Sequence, residues 1–113
     1  SELTPDQERV YYSTNMLFLD ETQAGITRKA VVDALKAEGV HISSGAYPEQ
    51  HKNVMYQEEK WWHHRPNIQD LPGTTRVNAT AVNVGLLRTE APELVDQYIK
   101  AFQKVWTHRK ELA

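Results

Sequence analysis

The hydrophobic and polar positions of the chain divide it into a succession of readable stretches. From Val10 to Leu19 the run VYYSTNMLFL is rich in β-branched and aromatic residues. It predicts a strand with Val10, Tyr12, Thr14, Met16 and Phe18 on one face. Tyr11, Leu17 and Leu19 fall on the other, so both faces are expected to be partly covered. The polar residues Ser1 to Glu8, with turn chemistry at Thr4-Pro5-Asp6, form a lead-in, and DETQAG is a loop. Helical spacing of Ala30, Val31, Ala34, Leu35 and Glu38 then marks a helix over Thr27 to Glu38. Thr27 is its N-cap, Ile26 and Val31 occupy the two positions of a hydrophobic staple, and Gly39 is its left-handed stop. VHIS, Val40 to Ser43, is a short strand.

Beyond Gly45 the period weakens. Pro48 and Pro66 break up the segment to Asn67, which reads as an organised loop with a helical stretch near Asn53 to Lys60. Leu71-Pro72-Gly73 punctuates its end, before a short helix at about Thr74 to Thr80 and a strand at Ala81 to Leu87. The strongest element is last. Leu94, Val95, Tyr98, Ile99, Phe102, Val105 and Trp106 form an unbroken apolar stripe over a helix from Pro92 to Arg109. Pro92 suits its first turn, and His108, Arg109 and Lys110 suit its negative carboxyl end. The fold expected is α+β: a small, largely antiparallel sheet of about three strands with helices packed on one face.

Bulk properties narrow the function. A chain of 113 residues fits one domain spanning residues 1–113, with enough surface to bury a core without staples. A net charge of −2 argues against a general nucleic-acid binder. The absence of cysteine excludes disulfides, thiol nucleophiles and Cys-ligated zinc. No apolar run approaches the roughly 20 residues that span a bilayer. The polar start SELTPDQERV is no signal peptide and carries no initiator methionine. The expectation is a cytoplasmic protein, present here as an excised or tagged piece.

The segment GAYPEQHKNVMYQEEKWWHHRPN concentrates two tyrosines, two tryptophans and three histidines where no regular element demands them. Three readings compete: a satellite core under a long loop, a metal or nucleic-acid site, and one wall of a substrate pocket. Metal is disfavoured, because around His41, His51, His63, His64 and His108 no carboxylate at i, i+4 spacing completes a known ligand motif, and the adjacent His63 and His64 tend to point apart. WWHHR pairs stacking surface with positive charge, as a single-strand binder would, but QEEK before it and QD after it cancel the basic field. No nucleophile elbow and no glycine-rich phosphate loop is present. The formal glycosylation sequon Asn78-Ala79-Thr80 has no secretory context. For Trp61 and Trp62, anchoring the loop onto the sheet is the plainer reading, since indole burial supplies so much apolar area.

The order of the pieces adds a resemblance. RKAVVDALKAEGV, then GAYPEQH, then LPGTTRVNATAVNVGLL, closing with APELVDQYIKAFQKV, is similar to the carboxyl-terminal small domain of the DegT/DnrJ/EryC1/StrS sugar aminotransferases. These are pyridoxal-phosphate enzymes of fold type I, and the likeness covers roughly Val10 to Leu112. It implies a domain that contributes to transfer of an amino group onto a free or nucleotide-linked keto sugar. It also implies a large cofactor-binding domain in the same polypeptide and a homodimeric parent. Tyr47 and His51, matching the family's Tyr-Pro-x-x-His, would bind substrate, with Trp61, Trp62, His63 and His64 extending that pocket wall or packing beneath it. The chain departs from the family in length. The region carrying the Schiff-base lysine is not in it, so no catalytic residue is assigned and pyridoxal phosphate is expected in the parent but not bound to this chain. The insertion WWHHRPNIQD also goes beyond the usual loop. The alternative is a stand-alone small-molecule-binding or interaction module that keeps the fold without the chemistry.

Overall fold

The computed structural model describes residues 4–7, 15–45, 47–64 and 67–113. Strand β1 (Asn15–Phe18) is followed by a one-turn helix α1 (Glu21–Ala24) and by helix α2 (Arg28–Ala37). Strand β2 (Ile42–Ser44) leads into the aromatic segment, where a one-turn helix α3 (Val54–Gln57) lies between 3-10 turns at Gln50–Lys52 and Glu59–Trp61. Helix α4 (Pro72–Thr80) runs directly into strand β3 (Ala81–Val84), and α5 (Pro92–Thr107) is the last element.

The architecture is α+β, with one antiparallel sheet in the order β1-β3-β2. Leu17 lies opposite Val82, and Ile42 lies opposite Val84. Cross-strand partners share a face, so one parity of each strand meets the helices. On that face Ile42, Val82 and Val84 pack with Val31, Val32 and Leu35 of α2 and with Ala101 and Val105 of α5. The predicted staple residues Ile26 and Val31 are both buried in this core.

Local chemistry explains the boundaries. Thr27 Oγ1 accepts from the Ala30 amide at 3.2 Å, capping α2 as its sequence predicts. The helix ends where Gly39 adopts a φ of 86°, open to glycine at little cost. Two long-range bonds then hold the elements together. The Arg28 guanidinium donates to the carbonyls of Asn78 and Ala81, joining α2 to the junction of α4 and β3. The Tyr98 hydroxyl of α5 accepts from the His41 amide at 3.0 Å, just before the edge strand β2.

Several expectations are corrected. The first strand is Asn15–Phe18, and its predicted part from Val10 to Thr14 lies outside the described residues. Leu19 packs against the core, whereas Leu17 at 44% and Phe18 at 61% are both exposed, so the end of β1 is covered on neither face. DETQAG is not all loop. Asp20 Oδ1 accepts from the Gln23 amide at 3.1 Å, and Gly25 at φ 68° closes the single turn of α1. The predicted helix over Asn53–Lys60 is interrupted at Glu58, whose backbone is extended at φ −109° and ψ 128°. β2 covers Ile42–Ser44 and not Val40–Ser43, and β3 stops at Val84 and not Leu87. α4 starts at Pro72 and not Thr74, because proline satisfies a first helical turn. α5 stops at Thr107, short of Arg109, whose guanidinium turns back to the carbonyls of Trp106 and Ala24.

Candidate functional site

The segment between β2 and α4 folds as two small clusters. The first centres on Glu49. Its Oε2 accepts from the Lys52 ammonium at 2.7 Å and from the Thr75 hydroxyl of α4 at 2.9 Å. The same oxygen faces His51 Nε2 at 3.5 Å. The Lys52 hydrogen bond holds the Glu49 carboxyl below the usual carboxylate range, against partial desolvation, with Thr75 and the neighbouring Lys52 and His51 charges assisting. Through Thr75 this carboxylate clips the start of the loop onto α4.

The second cluster is aromatic. Tyr56 and Trp62 stack with ring centroids 5.5 Å apart and planes 23° from parallel. The Trp62 indole N–H donates to the Met55 carbonyl at 2.7 Å, and the Gln57 amide donates to the His51 carbonyl at 2.8 Å. Lys60 lies over the Trp61 ring at 5.2 Å. Asn53 Oδ1 starts α3 by accepting from the Met55 amide at 3.1 Å.

The residues expected from the sequence therefore divide. Tyr47 is 64% exposed beyond the end of β2. The His51 side chain is only 12% exposed and is occupied with the Glu49 cluster. Trp61, at 59%, and His63 and His64 are exposed, whereas the Trp62 ring is stacked on Tyr56. Trp62 is thus an anchor within its own loop. Glu49, Thr75 and Tyr56 are the partners that the sequence reading passed over. The spacing of Glu49 to Lys52 is a visible signal, but the reach to Thr75, 26 residues on, is not.

Two clefts lie away from these clusters. One of about 470 Å³ runs along Phe18, Asp20, Thr22, Arg76, Val77 and Thr80. The other, of about 490 Å³, lies between the start of β1, the end of β3 and the outer side of α5, against Leu17, Leu87, Val95, Ile99 and Phe102. All seven lysines are exposed. Among the described residues no group of three or more His, Asp or Glu is placed to hold a metal ion, and no helix is long and apolar enough to cross a membrane. Comparison of the chain with protein-family models, with curated proteins and with solved structures gives no match in any of the three.

Chemically, the exposed Tyr47 and Trp61 offer a phenolic hydroxyl and a ring face to a ligand. They provide stacking and orientation. Schiff-base capture of pyridoxal phosphate needs a lysine desolvated in a preformed pocket, and the exposed lysines of this chain do not fit that group.

Proposed function

We propose that the chain is the carboxyl-terminal small domain of a cytoplasmic, pyridoxal-phosphate-dependent aminotransferase that transfers an amino group to a keto sugar, free or nucleotide-linked. One observation carries the reading. Each motif of the resemblance falls on an element of the matching kind, in order. The arginine-led stretch forms α2 up to Gly39, Tyr47-Pro48-Glu49-Gln50-His51 lies in the loop after β2, Leu71-Pro72 opens α4, and the last apolar stripe forms α5.

In this reading the cofactor and the chemistry of the aldimine belong to a large domain of the same polypeptide, in a homodimeric parent. This chain supplies part of the substrate wall. Tyr47 would bind a sugar hydroxyl, a role that its 64% exposure leaves open to it. His51 then acts through its edge and by fixing the loop, with Trp61 and His63 flanking it.

The reading frame upstream of Ser1 tests this directly. A frame that continues into a large domain with an active-site lysine supports the proposal. A start codon immediately before Ser1 overturns it in favour of a stand-alone binding module. In the complete enzyme, Tyr47→Phe is expected to raise KM for the keto sugar by about ten-fold, the value of one hydrogen bond, with the amino-donor half-reaction unchanged.

A further inference from the structure

Residues 47–64 bond almost entirely to one another. Backbone bonds join Lys52 to Glu49 and Trp62 to Glu59, and the Gln57 side chain reaches the His51 carbonyl. Tyr56 stacks on Trp62, and the ion pairs of Glu49 with Lys52 and of Glu58 with Lys60 are internal as well. None of these residues is fully buried, and none belongs to the core that α2, α5 and the sheet enclose. Among the described residues a single hydrogen bond leaves the segment. It is the bond from Thr75 Oγ1 of α4 to Glu49 Oε2, at 2.9 Å.

We propose that residues 47–64 form one unit whose place on the fold is set by that bond, so that Glu49 and Thr75 are positioning residues for Tyr47 and His51. The bond can transmit position because both of its ends are held. Glu49 accepts from Lys52 twice, through its backbone carbonyl at 2.9 Å and through its carboxylate at 2.7 Å. Thr75 sits in the first turn of α4, its amide returning to the Leu71 carbonyl at 3.1 Å, and α4 is tied to Arg28 of α2 through the Asn78 carbonyl. Tyr47 stands two residues before Glu49 and His51 two after it, with His51 Nε2 facing the same carboxylate oxygen at 3.5 Å. Both candidate sugar ligands therefore flank the clip.

A hydrogen bond to an ionised carboxylate is about twice as strong as one between neutral groups. Yet no side chain of the unit reaches the core to add to it. One such bond favours the clipped over the released position by roughly ten-fold. The unit and its clip are properties of this chain by itself. The consequence for a keto sugar rests on the aminotransferase reading, in which the wall carried by Tyr47 is in place only while the clip is closed.

The chain has no cysteine, so spin labels can be set on Glu59→Cys in the unit and on Lys36→Cys in α2, both exposed positions. Pulsed electron-spin resonance on this labelled parent should give one main distance, with about one molecule in ten outside it. Thr75→Val keeps the branched shape and removes the donor, and the outlying fraction should rise to about one in two. Thr75→Ser returns the hydroxyl and should restore the single distance. A Thr75→Val chain that keeps the parent's distance overturns the proposal, and so does a parent already spread as widely as Thr75→Val. In the complete enzyme Thr75→Val should raise KM for the keto sugar about two-fold with kcat unchanged, because only the clipped fraction binds. Distances that respond while KM does not uphold the clip and overturn the sugar wall.

Discussion

Single side chains differ widely in what they hold. Leu35 is fully buried between α2 and the sheet, at 0% exposure. Leu35→Ala removes that packing and is expected to destabilise the protein by about 2–5 kcal/mol, read from urea unfolding. Gly85 is a different case. A Cβ placed there falls 2.1 Å from His41 Nδ1 and 3.2 Å from His41 Cβ, while the Gly85 amide donates to the His41 carbonyl at 2.7 Å. Rotating the imidazole relieves the first contact but not the second. Gly85→Ala should therefore destabilise by about 1–3 kcal/mol. His41→Ala in the same chain should restore most of the loss, and a double-mutant cycle without that coupling would remove this account of the glycine.

At the scale of elements, the attachment of the aromatic segment to α4 depends on pH. Because the Glu49 carboxyl titrates below its ordinary range in the folded protein, the native state favours the ionised form. The resulting stability is present above the unfolded-state value, about 4.3, and is lost as pH falls through the folded value. Wild type should exceed Glu49→Gln in stability at pH 7, and the two should converge as pH falls through the folded value, below that of a free carboxyl; curves that run parallel would show that the Glu49 charge plays no part. Elements with a local signal were legible in the sequence: α2 from Thr27 and Gly39, α5 from its stripe, and the α+β class from their order. The short helix at Glu21–Ala24 was hidden in DETQAG, although Asp20 and Gly25 are its cap residues. For β1 the sequence offered no choice between faces, since Leu17 and Phe18 are equally apolar, and only the register places Leu17 opposite Val82 and Phe18 opposite Ala81. Likewise, nothing near Glu49 in sequence points to Thr75, and nothing beside His51 states that its ring is mostly covered.

For the whole molecule, exposure of every lysine has a chemical outcome. Borohydride reduction in the presence of pyridoxal phosphate should label several lysines weakly; stoichiometric labelling of one would overturn this expectation. The sheet order carries a different consequence. Its middle strand, β3, is the last in sequence, and it bonds residues 15–18 on one side and 42–44 on the other. β1 and β2 make no ladder with each other, so neither can form a hairpin early. During synthesis, sheet assembly must wait until Val84 has left the ribosome. The loops then closed are long, with Phe18 and Ala81 63 residues apart in sequence (81 − 18) and Ser44 and Val82 38 apart (82 − 44). Folding should accordingly be slower than the helix content suggests, with α2 formed locally before any strand is paired.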